Sequence, residues 1–307
     1  MAVTDITGER ERGSARASAG RLAALVVVAL AGAALPLAAG LLFATEPAHE
    51  WTRAVQVAVG GWEHGGWRIL RGGLKWLSPP VVAVGVLAML VALVRGGRRR
   101  TAYAAAVVAA GAFVTVEAIK LGYLAFPAYR IDQTREMSGH VAMASSAFVA
   151  IVLAVSPRRR PLGTAVAGVL LVGMCVGILA SRWHDAADIV IAMTVTIAWV
   201  LVARACVAVI SPVMPASVGS RGATALLLVA LASAGIAALL LTNGGLVPGF
   251  APERALAAAT LASVASALVL GYATLGLASA VDAWESASHT AGRPDATRPH
   301  PNHEMEH

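Results

Sequence analysis

The sequence predicts an all-α protein, a polytopic bundle of transmembrane helices. Three observations carry that prediction. Hydrophobic residues make up 58% of the 307-residue chain and charged residues only 13%, where soluble domains carry about 25% charged residues. The apolar residues fall into long charge-free runs, and those runs are separated by arginine clusters and by Gly/Pro punctuation. So few charges on a soluble surface of this size would leave large apolar patches in water, so most of the surface must face lipid.

A bilayer core about 30 Å thick takes about 20 helical residues at about 1.5 Å rise each. Runs of that kind lie at 22–45, 77–94, 101–121, 140–156, 162–181, 186–208, 222–242 and 256–280. The first follows Arg10, Arg12, Arg16 and Arg21. A cleaved signal peptide shares this basic start, but the apolar run is too long for a signal core, so a retained anchor is expected. Arg95, Arg98, Arg99 and Arg100 separate the second and third runs, and Arg158, Arg159 and Arg160 separate the fourth and fifth. Glu117 and Lys120 sit in the last turns of the third.

Short arginine-bearing loops stay in the cytoplasm. Eight spans then place both termini inside a plasma membrane and turn 46–76, 122–139, 182–185 and 243–255 outward. Segment 46–76 holds Trp51, Trp62, Trp67 and Trp76 among charged residues, as expected of a helix lying in the headgroup zone. The expected organisation is a tail over 1–20, a membrane core over 21–210, two further spans within 211–281 and a disordered polar tail over 282–307. His303 and His307 in that tail could share a metal if helical, but a Pro-bearing polar stretch is more simply disordered.

The charge of +7 comes from 22 Arg and 2 Lys against 17 acids. The arginines punctuate the spans and form no nucleic-acid face, so membrane lipids are the expected partners. Cys175 and Cys206 lie inside apolar runs, and no disulfide is expected. Preference for Arg over Lys, with abundant Ala and Val, suggests a GC-rich bacterial gene.

Ionisable residues at membrane depth are costly and mark functional sites. Here they gather on the outward side: Lys120 closes the third run, Arg130 and Arg135 follow in the next loop, Ser138-Gly139-His140 opens the fourth, and Arg182-Trp183-His184 with Asp188 opens the sixth. His184 and Asp188 are four residues apart on what should be the first turn of a helix, so their side chains share a face, and the carboxylate can hold one imidazole nitrogen while the other stays free. Ser138, Gly139 and His140 stand at a helix start, where backbone N–H groups favour an anion and glycine allows close approach. Cations, a helix N-terminus and a His–Asp pair together read as a phosphate site with a nucleophilic histidine.

Over residues 20–210 these residues resemble the type 2 phosphatidic acid phosphatase (PAP2) superfamily, in its membrane lipid phosphatase branch. The family pattern is a Lys followed seven residues later by Arg-Pro, then Pro-Ser-Gly-His, then Ser-Arg, five residues, His, three residues and Asp. Lys120 with Arg130 resembles the first part, Met137-Ser138-Gly139-His140 the second, and Ser181-Arg182-Trp183-His184 with Asp188 the third. Pro127 stands where the first Arg is expected, Met137 replaces Pro, and Ile178 stands where the third-part Arg is expected. Arg182 lies four residues later on the same helix, so it points from the same face one turn nearer the outside and leans back toward the position of Ile178.

The resemblance implies a six-helix core with two extra C-terminal spans and a phosphohydrolase acting on a lipid phosphate or polyprenyl diphosphate. His184 would be the nucleophile, Asp188 its orienting carboxylate and His140 the acid. Lys120, Arg130, Arg182, Ser138 and Gly139 would hold the phosphoryl oxygens. The family works without a metal, and no carboxylate cluster or other cofactor site is evident. Vanadium haloperoxidases share these motifs, but eight spans argue against that soluble class. The alternative is a catalytically impaired PAP2-like lipid-phosphate binder or transporter, for which the two extra spans leave room.

Overall fold

A computed structural model describes residues 34–60, 79–125, 138–211 and 252–291, with scattered positions between 20 and 32 and between 228 and 236. Among the described residues the chain is helical apart from short turns, with no strand. α1, Ala34–Phe43, is preceded by helical residues at every described position from Gly20 onward. α2, Glu46–Gly60, starts after Thr45, whose carbonyl accepts from the N–H groups of Ala48 and His49 at 3.1 Å each, with Pro47 in the first turn where its missing N–H costs nothing. α3 is Pro79–Arg95 and α4 Arg99–Ala125. α5, Gly139–Ala154, is capped by Ser138, and α6, Arg160–Ala180, carries Pro161 in its first turn. α7 is Ala186–Ile210 and α8 Pro252–Ala291.

Four helices are long and apolar enough to cross a bilayer, over Arg99–Leu121, Arg160–Ala180, Ala186–Ile210 and Arg254–Ala287. They make this a membrane protein, and its surface agrees. Leu37 and Leu41 of α1, Val84 and Leu87 of α3, Val114 of α4, and Val169 and Leu170 of α6 are all exposed, the pattern of an outer ring that faces lipid. α7 is central instead, since 72% of its apolar window is buried against 33% for α4. The expected first, second and fourth spans appear as the shorter apolar helices Ala34–Phe43, Val82–Arg95 and Gly139–Ala154. The expected span 222–242 lies largely outside the described residues.

Helices approach closely where small residues permit. A Cβ on Gly111 of α4 would collide with the Trp199 ring of α7, and the Trp199 indole N–H donates to Thr115 Oγ1 at 3.0 Å one turn further on. Steric room and a hydrogen bond thus come from one face of α4, as membrane helix pairs require.

α2 is not merely an interfacial helix. Trp51, Val55 and Val59 form a buried stripe, Trp51 stacks on Phe43 with ring centroids 5.7 Å apart, and its indole N–H donates to the Ala255 carbonyl at 3.1 Å. The headgroup-anchor reading is therefore corrected for Trp51. The apolar spacing of four residues gives α2 a face that packs on α8. Trp62, Trp67 and Trp76 lie outside the described residues.

At the opposite end of the bundle α8 runs on through Asp282 to Ala291, past the point where the polar tail was expected to begin. There it meets the basic turns. Arg160 makes two bonds to Asp282, at 2.6 and 3.2 Å. Thr101 donates from Oγ1 to Glu285 at 2.8 Å. Arg100 donates to the Trp284 carbonyl and its guanidinium lies 4.4 Å from the centre of that indole ring. Arg98 donates to the carbonyls of Leu153 and Ala154 at 2.9 and 2.6 Å, closing the end of α5. Residues 292–307, including His300, His303 and His307, lie outside the described residues.

Candidate active site

At the end of the bundle away from these arginines, four segments converge: the last turns of α4, the first turn of α5, the 181–185 turn and the last turns of α2. Ser138 has extended backbone geometry and accepts the Val141 N–H on its Oγ at 3.3 Å. Its buried side chain therefore builds the helix start, while the hydroxyl keeps its own proton to donate. The Gly139 and His140 N–H groups are ones that the helix ladder itself does not use. α5 has no acid of its own in its first turn, so the positive end of its dipole is open to an anion.

Lys120 and Glu117, three residues apart on α4, are paired at 2.9 Å. Both reach the start of α5: a Cβ on Gly139 would lie 3.0 Å from Lys120 Nζ and 3.2 Å from Glu117 Oε1. A side chain at 139 would press on the flexible ends of these two residues, which would have to give by a few tenths of an ångström. What approaches it in this structure is the ion pair.

The turn between α6 and α7 places the second imidazole. The Arg182 and Trp183 N–H groups bond to the carbonyls of Leu179 at 2.9 Å and Ile178 at 3.3 Å, the double bond of a Schellman helix end. Arg182 takes the left-handed position usually held by glycine, at φ 55°, at a cost on the order of 1 kcal/mol. This corrects the idea that one helix carries Arg182 a turn beyond Ile178. α6 has ended, Ile178 is fully buried, and the Arg182 Nε donates to Gln56 Oε1 of α2 at 3.3 Å. The Ser181 hydroxyl is buried here with no hydrogen-bond partner among the described residues.

His184 precedes α7 and is not on its first turn. Asp185 is the N-cap and forms a capping box with Asp188, its own N–H donating to Asp188 Oδ2 at 3.2 Å. The same Oδ2 lies 3.7 Å from His184 Nδ1, beyond hydrogen-bond length and on the side of the ring away from Nε2. Asp188 is almost fully buried, so it faces the imidazole from a fixed position. Gln56 Nε2 donates to Asp185 Oδ1 at 2.6 Å. That amide links Arg182 and the α7 cap to one residue of α2.

The His140 and His184 rings lie 6.1 Å apart between centroids, and Trp183 lies 5.4 Å from His140. Of the residues singled out in the sequence, His140, His184, Asp188, Ser138, Gly139 and Lys120 thus gather at one end. Arg182 is at the same end but turned toward α2. Arg130, Arg135, Pro127 and Met137 lie outside the described residues. Glu117, Gln56 and Asp185 were missed. Glu117 carried a signal, as an acid at membrane depth three residues from a lysine, and Asp185 was readable as a cap three residues before Asp188. Gln56 carried none.

Among the described residues no group of three or more His, Cys, Asp or Glu side chains gathers to hold a metal. Comparison with protein families, curated proteins and solved structures finds no match to this chain.

Proposed function

We propose that this protein is an integral-membrane phosphohydrolase that removes phosphate from a lipid phosphate or polyprenyl diphosphate, in the manner of the PAP2 superfamily it resembles. The observation that carries the reading is the meeting of two imidazoles, one from the start of α5 and one from the turn before α7, 6.1 Å apart and beside a lysine. His184 Nε2 attacks phosphorus, forming a P–N bond as the P–O bond to the lipid breaks, and His140 gives a proton to the departing oxygen. Water then attacks the phosphohistidine, His140 takes its proton, and His184 leaves. Asp188 orients the His184 ring. Lys120, the Gly139 N–H and the Ser138 hydroxyl hold the phosphoryl oxygens, with Arg182 and Arg130 as further cations.

The site lies at the end of the bundle opposite the arginine turns, which supports a plasma-membrane arrangement with the arginines inside and the site outside. An outward site bounded by lipid suits an amphiphile whose phosphate sits in the outer headgroup layer.

Phosphate release from purified protein, with polyprenyl diphosphate, phosphatidate and phosphatidylglycerol phosphate offered in turn and EDTA present, tests the reading. Turnover of one of the three supports it. Folded protein that turns over none of them favours the second reading, a lipid-phosphate binder or transporter. The observation on that side is the engagement of Lys120 with Glu117 and of Arg182 with Gln56.

A further inference from the structure

The start of α5 already has an anion beside it. Its own first turn supplies none, whereas α7, which starts at the same end, has Asp185 and Asp188 in place. The carboxylate that serves α5 comes from α4: Glu117 Oε1 lies 3.2 Å from the position of a Cβ on Gly139 and 2.9 Å from Lys120 Nζ. A carboxylate paired with an ammonium beside a helix start occupies the neighbourhood in which such a site would bind an anionic oxygen. The side chains of both partners are only partly buried, so Glu117 can swing aside without unfolding α4. It is also an acid at membrane depth paired with the lysine, which is the placement expected of a functional charge.

We infer that Glu117 is a resident anion, holding Lys120 at the start of α5 until a phosphoryl oxygen displaces it, and that this exchange selects terminal phosphate dianions over phosphodiester monoanions. The inference rests on the phosphate reading of the site. Exchanging a carboxylate for a singly charged diester returns to the site only the charge it gave up. A doubly charged terminal phosphate returns more, and it also has three oxygens to share between Lys120 and the helix start. The ordinary phospholipids that surround the protein are diesters. A site open to the headgroup layer without such a counter-anion would fill with them.

Calorimetric titration of the full-length protein in detergent tests this, with inorganic phosphate at pH 8 as the dianion and dimethyl phosphate as the diester probe. Glu117→Gln keeps the length of the side chain and an acceptor for Lys120 while removing the charge. The variant is expected to bind inorganic phosphate about tenfold more tightly than the parent, the scale of one competing charge at this distance, and to acquire binding of dimethyl phosphate. Glu117→Ala should move both affinities the same way, and unchanged melting shows that both variants fold. If inorganic phosphate binds the parent but binds both variants equally or more weakly, Glu117 serves to orient Lys120, and the resident-anion role is wrong while the phosphate site stands. If inorganic phosphate binds neither the parent nor the variants, the phosphate site itself is wrong and this inference goes with it.

Discussion

The Gln56 amide of α2 donates to the Asp185 carboxylate at the start of α7 at 2.6 Å, across 129 positions of sequence. Its carbonyl oxygen accepts from Arg182 at 3.3 Å, so one side chain fastens both ends of the turn that carries His184. Gln56→Leu keeps similar volume and removes both bonds. Turnover should fall about ten- to hundredfold, the scale of a slightly misplaced catalytic group, with little change in KM. Steady-state kinetics beside a melting curve checks this, and an unchanged turnover number shows that the turn is held without α2.

Arg182 separates stability from function. It occupies the left-handed position of the helix end, where glycine is unstrained. Arg182→Gly should leave melting unchanged or raise stability by up to about 1 kcal/mol. Turnover should still fall about a hundredfold if the guanidinium serves the phosphoryl oxygens. Arg182→Lys should recover part of it, because a point charge lacks the fork. Normal turnover in Arg182→Gly would make the residue an interfacial charge only.

Gly111 and Trp199 test the packing of α4 on α7. Gly111→Ala sets a methyl group against the indole and should cost about 1 to 3 kcal/mol. Adding Trp199→Leu should return part of that loss, as neighbours do when they relieve one another. Unfolding in mixed micelles measures both, and additive losses would contradict the contact.

Arg160 is buried at the start of α6, where a helix dipole opposes its charge, and Asp282 balances it. Asp282→Asn should therefore destabilise the bundle by about 2 to 3 kcal/mol, less than for a fully buried pair because Asp282 is partly exposed. The loss should shrink little in high salt, whereas that of a surface pair is screened away. Truncation after residue 281, which removes Asp282, Trp284 and Glu285 together, should lower the melting temperature further, and no change would make the contacts of α8 with the basic turns dispensable.

The parts of this molecule governed by local rules were legible in its sequence. Charge-free runs between arginines place Arg160–Ala180 and Ala186–Ile210 within two residues of 162–181 and 186–208, because membrane depth sets span length. Ser138 was readable at a helix start for the same local reason. Arg182 was not, since nothing marks an arginine that takes a glycine's backbone conformation, so a continuous helix was the natural extrapolation. Trp51 and Gln56 depended on which helices α2 meets, and that follows from tertiary packing that periodicity does not encode. The length of α8 was underestimated for a related reason. Asp282 and Glu285 look like the beginning of a solvated tail until the arginines they face are known.

The central claim is that His184 takes the phosphoryl group. Rapid alkaline quenching after mixing with a substrate radiolabelled in its terminal phosphate tests it most directly, because a phosphohistidine survives base and is lost in acid. The account predicts label on the wild-type protein, located to His184, with none on His184→Ala and accompanying loss of phosphate release. Phosphate release that persists in folded His184→Ala, or label carried by another residue, would contradict it.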